Sequence, residues 1–176
     1  NARLPVLKIV IVGDAEVGKT ALMKRYCEGT FNEQYNSTVG MDFSSRRTPY
    51  ASLQLWDTTG QEKYQSIVSI CYRKANILMV VFDTTSRHSF NHVENCLIEA
   101  IEHCEQEPEL ILIGNKNDLT DKRCVGCEEA ENYALSKDMM YLDCSAKNFD
   151  RAQFDSKLQE ICTKYLLNAK NLQYEK

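Results

Sequence analysis

The chain has 176 residues and a formal net charge of −4, with 21 Lys and Arg against 25 Asp and Glu. A general nucleic-acid-binding protein would be basic, so this charge argues against nucleic acid as a partner. With 43% hydrophobic residues, a chain of this length is expected to form a single domain over residues 1–176. The longest uninterrupted apolar run, Ile77 to Phe82, is far shorter than the roughly 20 residues of a membrane-spanning helix.

Apolar runs alternate with segments of helical periodicity along the chain. In the first half, the predicted elements are a strand over Val6 to Val12, a helix over Gly18 to Cys27, strands over Met41 to Arg47 and Ser52 to Trp56 joined by a turn at Thr48-Pro49-Tyr50, and a helix over Tyr64 to Arg73. In the second half, they are a strand over Ile77 to Phe82, a helix from Ser86, a strand over Leu110 to Gly114, a helix over Glu128 to Ser136, a strand over Met139 to Asp143 and a last helix.

The order of these elements predicts the fold class. Strands that alternate with helices indicate an α/β protein whose parallel sheet is covered by helices on both faces. The hairpin between the second and third strands makes one strand antiparallel, so we expect a six-stranded, mostly parallel sheet. Two helices are expected to bury the apolar faces formed by Val93, Cys96, Leu97, Ile101 and Cys104, and by Phe154, Leu158, Ile161, Cys162 and Tyr165. Ligands of such sheets bind beyond the carboxyl ends of the strands.

The eight cysteines are predicted to be reduced thiols, because a chain of this length does not need disulfides to hold its core. Cys124 and Cys127 form a Cys-x-x-Cys pair, but a zinc site requires a second pair at suitable spacing, and the sequence has none. The histidines, His88, His92 and His103, are scattered along one predicted helix. We therefore predict no metal site built from cysteine and histidine.

The segment from Gly13 to Thr20 matches the phosphate-binding pattern Gly-x4-Gly-Lys-Ser/Thr. It follows a predicted strand and opens a predicted helix, where backbone N–H groups and the helix dipole favour phosphate. Lys19 is predicted to reach the β- and γ-phosphates, and the Thr20 hydroxyl to ligate Mg²⁺. The residues expected to contact the nucleotide here are Ala15, Glu16, Val17, Gly18, Lys19, Thr20 and Ala21. The motif alone also fits an ATPase or an adenylate-type kinase.

A second motif, Asn115-Lys116-Asn117-Asp118, follows the predicted strand Leu110 to Gly114. Guanine presents two adjacent donors, N1–H and the 2-amino group; the Asp118 carboxylate can accept both, whereas it would face an acceptor on adenine. A third motif, Ser145-Ala146-Lys147, follows the last predicted strand and could donate the Ala146 N–H to guanine O6. Lysine stems can cover the base and sugar. Guanine recognition is therefore predicted to involve Asn115, Lys116, Asp118, Ser145, Ala146 and Lys147.

The segment from Asp57 to Glu62 follows the third predicted strand and carries groups suited to hydrolysis. Asp57 is predicted to hold Mg²⁺ as a Walker-B-type acid, the Gly60 N–H to sense the γ-phosphate, and Gln61 to orient the attacking water. Thr38, in a polar loop from Phe31 to Gly40, can complete the Mg²⁺ shell. A loop held only by a γ-phosphate and a metal is released on hydrolysis, which predicts a switch.

These motifs resemble those of small GTPases of the Ras superfamily, and specifically its Rab branch. The similarity covers essentially the whole chain, with Rab-like segments at Ser37 to Phe43, Leu53 to Asp57 and Tyr72 to Ala75. The resemblance implies a P-loop NTPase G domain that binds GTP or GDP with Mg²⁺ and hydrolyses GTP slowly. It also implies that Phe31 lies edge-on over the guanine and that Tyr35 closes over the phosphates.

The resemblance further implies a molecular switch in vesicle and membrane traffic. Its partners would be an exchange factor, a GTPase-activating protein and effectors, which contact residues 31–43 and 57–73. The sequence ends without a cysteine that could be prenylated, so membrane association is expected only through a lipid or segment absent from this chain. We expect a cytoplasmic protein, with peripheral attachment to endomembranes left open.

Several positions depart from the family pattern. Glu16 stands where small GTPases usually carry glycine, alanine or serine, and Thr59 replaces the usual alanine. Cys71 replaces an aromatic of the effector surface, and Asn76 replaces a glycine. Because Glu16 and Thr59 fall close to the phosphates, we expect slower hydrolysis than in a typical Rab. They leave open the alternative of a nucleotide-binding scaffold with negligible hydrolysis; a P-loop ATPase or kinase is a remote alternative.

Overall fold

The computed structural model describes residues 4–33, 40–58 and 65–174. Its strands are β1 (Val6–Val12), β2 (Met41–Arg47), β3 (Ser52–Thr58), β4 (Ile77–Asp83), β5 (Glu109–Asn115) and β6 (Met140–Asp143). Its helices are α1 (Lys19–Glu28), α2 (Gln65–Tyr72), α3 (Arg87–Asn91), α4 (Val93–Glu102), α5 (Cys127–Ser136) and α6 (Arg151–Tyr174), with a 3₁₀ turn at Thr120–Lys122.

The six strands form one sheet in the order β2-β3-β1-β4-β5-β6. Neighbouring strands are parallel except β2 and β3, which are antiparallel and place Phe43 opposite Trp56. The turn of this hairpin is fixed by Thr48, whose buried hydroxyl donates to the Ala51 carbonyl and accepts from the Ala51 N–H. The predicted hairpin and its turn are therefore confirmed.

Alternate residues of each strand point to opposite faces of the sheet, so the core has two layers. On one face, Ile9 and Ile11 of β1 pack with residues of α1 and α6. On the other face, Val10 and Val12 pack with residues of α2, α4 and α5. Strand β4 is buried along its whole length, because helices cover both of its faces. The predicted α/β fold, a mostly parallel six-stranded sheet with one antiparallel strand and helices on both faces, is confirmed.

The helix predicted from Ser86 differs in two respects from expectation. It is divided at His92 into α3 and α4. The His92 N–H still donates to the His88 carbonyl and the Cys96 N–H to the His92 carbonyl, so the helical hydrogen-bonding pattern continues across the division. Ile101 was expected to be buried but is 42% exposed. It lies about 80° around the helix from Val93, at the edge of the apolar face, so the sheet does not cover it.

Asn76, one of the departures from the family pattern, joins three elements at the start of β4. Its side-chain oxygen Oδ1 accepts from the Lys8 N–H of β1 at 2.6 Å, and its side-chain nitrogen Nδ2 donates to the Tyr165 hydroxyl of α6 at 2.7 Å. Tyr165, which was expected to be buried, is half-buried. Within the described ranges, the chain has no helix that combines the length and apolar character needed to cross a membrane.

Candidate functional site

The sheet topology brings the three sequence motifs to one edge of the molecule. Strands β1, β3, β4, β5 and β6 are all parallel, so their carboxyl ends lie at the same edge. The phosphate motif follows β1, Asp57 lies near the end of β3, and the two base-recognition motifs follow β5 and β6. Loops at this edge are where ligands of such sheets bind.

The phosphate loop has a backbone that requires glycine at both ends. Gly13 has a φ of +139°, and a Cβ there would lie 2.2 Å from the Val81 carbonyl oxygen. Gly18 has a φ of +97°, and a Cβ there would lie 2.4 Å from the Asn115 side-chain nitrogen. Because Gly18 caps α1 without a side-chain hydrogen bond, the first N–H groups of the helix remain available to an anion.

Lys19 is buried within the loop that precedes it. Its ammonium donates to the carbonyl oxygens of Gly13 and Asp14, each at 2.7 Å. Burial lowers the pKa of Lys19 from its ordinary value, against the opposing effect of Asp57 and Asp14. A phosphate that replaced the two carbonyl oxygens would stabilise the charged ammonium at the position where the motif places it.

Thr20 and Asp57 meet on the other side of the loop. The Thr20 hydroxyl donates to Asp57 Oδ2 in a short hydrogen bond. Asp57 is fully buried, and among the described residues its Oδ1 has no hydrogen-bond partner. Burial raises the pKa of Asp57 to about 6, although the Thr20 hydroxyl and the Lys19 charge act in the opposite direction. An orphaned buried carboxylate oxygen beside a threonine hydroxyl fits the hard oxygen ligands that Mg²⁺ prefers.

Asn115 ties the phosphate loop to both base-recognition motifs. Its side chain is 1% exposed, donates to the Val17 carbonyl at 2.9 Å and accepts from the Ala146 N–H at 3.1 Å. The Ala146 N–H, predicted to donate to guanine O6, is therefore hydrogen-bonded within the protein, and a base would have to share it. The structure shows Asn115 in a positioning role that its place in the motif alone did not specify.

Asp118 and Ser145 form the second connection between these motifs. The Ser145 hydroxyl donates to Asp118 Oδ1 at 2.5 Å and accepts from the N–H groups of Lys147 and Asn148. Ser145 is buried and Asp118 is half-buried, so the carboxylate is held by one oxygen at the edge of the site. A carboxylate held in this way is pre-oriented to accept two parallel hydrogen bonds.

Two lysines flank the same edge. Lys116 adopts a left-handed φ of 65° and extends to the Glu16 carbonyl at 2.8 Å and to Asp83 Oδ2 at 2.6 Å. Lys147 pairs with Glu33 at 2.6 Å, in the loop that contains Phe31. The remaining predicted contact residues have mixed burial: Ala15 and Glu16 are exposed, Val17 is buried, and Ala21 and Phe31 are half-buried against the core.

Comparison with known proteins identifies the family. A family model for the Ras family matches residues 8–166 of the chain. The chain is 35% identical over 173 residues to the Ras-related protein RABA4a of Arabidopsis thaliana, covering 95% of this chain and 76% of that protein. It is 36% identical over 165 residues to the Ras-related protein Rab-8B of Pongo abelii, covering 90% and 80%. The chain belongs to the Ras family.

A further relative supports assignment to the Rab branch. The Ras-related protein RABA4b of Arabidopsis thaliana is 35% identical over 176 residues, covering 97% of this chain and 78% of that protein. Together these relatives place the chain among the small GTPases of the Rab branch, as its motifs indicate. Members of this family bind GTP and GDP with Mg²⁺.

The switch positions of this Ras-family chain lie outside the described residues. They include the predicted catalytic residue and four positions expected beside the phosphates, namely Gln61, Tyr35, Thr38, Thr59 and Gly60. The roles assigned to them remain predictions.

The described part of the surface that is expected to contact effectors includes exposed apolar side chains. Phe43 and Trp56 pack with ring centroids 4.9 Å apart, and Phe43 is 47% exposed. On α2, Cys71 is buried and Ile70 is exposed. The Cys71 side chain is part of the core, so a small buried thiol occupies the position at which the family resemblance predicts an aromatic residue.

The sequence reasoning missed one cluster next to the phosphate loop. Asp14, His92 and Cys96 place a carboxylate oxygen, an imidazole nitrogen and a thiol sulfur within 4.8 Å of one another. The signal in the sequence is the spacing of His88, His92 and Cys96, which are four residues apart and share one helix face. That spacing could not have identified Asp14, which is about 80 positions away along the chain.

Proposed function

We propose that this chain binds GDP and GTP with Mg²⁺ and hydrolyses GTP slowly, as a molecular switch in vesicle and membrane traffic. The observation that carries the proposal is the Asn115 side chain, which joins the phosphate loop to the loop after β6. Phosphate binding alone would require only the first loop. A site in which phosphate and base loops share one buried side chain fits a nucleotide whose two ends are recognised together.

Guanine is the base that the Asp118 side chain favours. Its carboxylate would accept the N1–H and the 2-amino group, and Ser145 would hold it in the plane of the base. When the wrong ligand would leave a buried polar group of the site unpaired, the site can favour the correct ligand by a factor of about 10⁴–10⁵. The Lys116 and Lys147 stems would pack against the base and sugar, beside Phe31.

The phosphates would lie against the loop from Ala15 to Ala21. Its N–H groups and the start of α1 supply hydrogen bonds, and the Lys19 ammonium supplies a charge that is already held in place. Thr20 and Asp57 would hold Mg²⁺, with Thr38 completing the shell in the GTP state. Bound Mg²⁺ would neutralise phosphate charge. Tyr35 and the Gly60 N–H would close the γ-phosphate side.

Gln61 would orient the water that attacks the γ-phosphate. Glu16 and Thr59 are the reasons to expect slower hydrolysis than in other Rab proteins. Glu16 is exposed and has a left-handed φ of 67°, a conformation that glycine adopts more readily than glutamate. The same two residues favour the second candidate function, a nucleotide-binding scaffold that hydrolyses negligibly.

We further propose that residues 1–176 form one small-GTPase domain that acts through three kinds of protein partner. An exchange factor, a GTPase-activating protein and effectors would contact residues 31–43 and 57–73, which include the exposed Phe43 and Ile70. Such a switch would work in the cytoplasm and at the surface of endomembranes. Nucleic acid is not expected as a partner of a chain with net charge −4.

The deciding experiment identifies the nucleotide that the purified protein carries. Protein is denatured, and the released nucleotide is separated and identified by mass. We expect close to one molecule of GDP or GTP per chain. We also expect unlabelled GDP, but not ADP, to displace a bound fluorescent GDP. Release of adenine nucleotide, or equal competition by ADP, would instead support the ATPase or kinase alternative.

A further inference from the structure

A cluster of metal-ligating side chains lies between the phosphate loop and the helices α3 and α4. His92 Nδ1 is 2.5 Å from Asp14 Oδ1, and the Cys96 sulfur is 4.0 Å from the same oxygen and 3.8 Å from His92 Nδ1. Among the described residues, this is the one group of three His, Cys, Asp or Glu side chains whose donor atoms all lie within 4.8 Å. The cluster is separate from Thr20 and Asp57.

A fourth donor lies next to this group. His88 Nδ1 is 3.3 Å from Asp14 Oδ2, and the rings of His88 and His92 have centroids 6.0 Å apart. His88, His92 and Cys96 are spaced by one helical turn, and the backbone hydrogen bonds from His92 to His88 and from Cys96 to His92 keep them on one face. The His88 side chain is 87% exposed, so it can rotate towards a cation without displacing core residues.

We propose that Asp14, His92 and Cys96, with His88 as fourth ligand, bind a borderline transition-metal cation of the Zn²⁺ class. Zinc bonds of about 2.0–2.3 Å in a tetrahedron place the ligand atoms about 3.3–3.8 Å apart. The sulfur distances of 3.8 and 4.0 Å are close to this range. The His92–Asp14 distance of 2.5 Å would lengthen by about 1 Å, because a cation would replace the proton between the two atoms.

The donor types select the kind of metal. One sulfur, two imidazole nitrogens and one carboxylate oxygen suit Zn²⁺, Co²⁺ or Cu²⁺, whereas Mg²⁺ requires hard oxygen ligands. Burial, followed by the charge of Asp14, raises the pKa of the Cys96 thiol to about 12, so the thiol proton would pass to solvent when sulfur binds the cation. A carboxylate and a thiolate together neutralise a divalent cation, which limits its repulsion of the nearby Lys19 ammonium.

A cation at this position would cross-link two parts of the fold. Asp14 belongs to the phosphate loop, and its backbone carbonyl accepts from the Lys19 ammonium. The other three ligands belong to the α3–α4 segment, which packs on the sheet through Val93 and Leu97. The cation would therefore tether the phosphate loop to the helical layer. This inference does not depend on which nucleotide the chain binds.

The test is a titration of metal-free protein with Co²⁺, whose thiolate complexes absorb in the near ultraviolet. The protein carries the double substitution Cys124→Ser and Cys127→Ser, because this exposed Cys-x-x-Cys pair is the competing site for a soft metal. We expect one equivalent of Co²⁺ to produce the charge-transfer band, Zn²⁺ to displace it, and excess Mg²⁺ to leave it unchanged. Zn²⁺ should also raise the Tm.

In that background, Cys96→Ser should abolish the band, and His92→Gln should weaken Co²⁺ and Zn²⁺ binding by at least about tenfold. His103→Gln is the matched control, since this exposed histidine at the end of α4 lies outside the cluster, and it should leave binding unchanged. The Tm of each variant without metal verifies that it folds. If Cys96→Ser does not fold, the Co²⁺ affinity of His92→Gln tests the proposal instead. The His92 side chain is 43% exposed, so its substitution should not disturb the core. A band retained in Cys96→Ser, an unchanged Co²⁺ affinity in His92→Gln, or the absence of a band in the parent overturns the proposal.

Discussion

At the scale of single residues, the candidate base site depends on how Asp118 is held. A carboxylate on a loop could rotate freely, but here Oδ1 accepts from Ser145, and Ser145 is itself fixed by two backbone N–H groups. The chain therefore restricts the side chain before any ligand arrives. Restricting a recognition group in advance reduces the entropy lost on binding.

The first prediction concerns the base preference of Asp118. In Asp118→Asn, one acceptor oxygen becomes a donor that opposes a guanine donor, so GTP affinity should fall by several orders of magnitude. Xanthine presents an acceptor at that position, so affinity for xanthosine triphosphate should rise. Fluorescent nucleotide titrations measure both affinities. Asp121→Asn, an exposed aspartate in the adjacent 3₁₀ turn, is the control and should bind GTP normally. Unchanged GTP affinity in Asp118→Asn would mean that this loop does not contact the base.

The second prediction concerns the unusual residues Glu16 and Thr59. A carboxylate about 6 Å from a phosphate is repelled by about 0.7 kcal/mol in water and by more at lower dielectric, so Glu16→Gly should tighten nucleotide binding modestly. Thr59→Ala should act more directly, because a displacement of the attacking water by about 1 Å can cost about 10²-fold in rate. We expect the double variant to hydrolyse GTP faster than the parent.

Single-turnover GTP hydrolysis measures this effect in the parent, both single variants and the double variant. Gln61→Leu gives the rate without the water-orienting residue, and Glu107→Gly, at an exposed loop glutamate, controls for loss of a charge. If the double variant is no faster than the parent, neither residue slows hydrolysis. If Gln61→Leu and the parent are equally slow while the double variant hydrolyses, the two residues account for a scaffold-like parent.

At the scale of elements, an ion pair links the loop after β5 to the end of β6, next to the candidate base site. Arg123, which follows the 3₁₀ turn, donates to both carboxylate oxygens of Asp143 at the end of β6, at 2.8 and 2.9 Å. Tyr141 and Asn117 donate to the same carboxylate. Burial would raise the pKa of Asp143, but these hydrogen bonds outweigh it and lower the pKa below its ordinary value. A bidentate pair of this kind orders both loops.

The third prediction is a pH dependence of stability that arises from Asp143. Because its pKa is lower in the folded chain than the unfolded value of about 3.9, its contribution is fully present above that value. The contribution is lost as the pH falls through the folded pKa. Urea unfolding across this acid range should show the free energy of unfolding declining less steeply in Asp143→Asn. That variant should also lose about 1–3 kcal/mol near neutral pH. Asp121→Asn should keep the parental slope; equal slopes in parent and Asp143→Asn would contradict the assignment.

Most elements could be predicted because each has its own local signal. The runs that became β1 and β2 match the structure to the residue, and the phosphate loop is marked by two glycines that the backbone requires. The 3₁₀ turn after Asp118 and the division of the helix at His92 were not predicted, since both depend on packing rather than on periodicity. Ile101 is exposed because it lies at the edge of the apolar face of α4, and the periodicity alone did not show how far the covered part of that face extends.

At the scale of the whole molecule, the fold brings residues that are distant in the sequence close together in space. Thr20 contacts Asp57, and Asn115 contacts Val17 and Ala146. These contacts arise because β1, β3, β5 and β6 are parallel strands of one sheet, so their carboxyl ends lie at the same edge. The motifs were predicted individually, and their common edge followed from the predicted topology. The specific hydrogen bonds could not be predicted, because they depend on side-chain distances that only the assembled sheet defines. The Asp14–His92–Cys96 cluster was missed for the same reason.

The last prediction follows from a site made of loops from several strands. A ligand that binds the folded but not the unfolded chain stabilises the whole domain, by about 2.7 kcal/mol at a concentration one hundred times its Kd. Among the described residues Asp57 Oδ1 has no hydrogen-bond partner, and the Mg²⁺ that we propose at this position would contribute to nucleotide binding. Chelation with EDTA should therefore speed GDP release by orders of magnitude and lower the Tm of the GDP-loaded protein, and Thr20→Asn should weaken GTP more than GDP. Stopped-flow release of a fluorescent GDP measures the rate, and EDTA premixed with excess Mg²⁺ is the control. EDTA would also remove zinc from the cluster proposed above, and the Cys96→Ser variant, which lacks that cluster, separates the two effects. If Mg²⁺ is responsible, EDTA should speed GDP release equally in the parent and in Cys96→Ser. A release rate that is insensitive to EDTA in both proteins would exclude Mg²⁺ from the site.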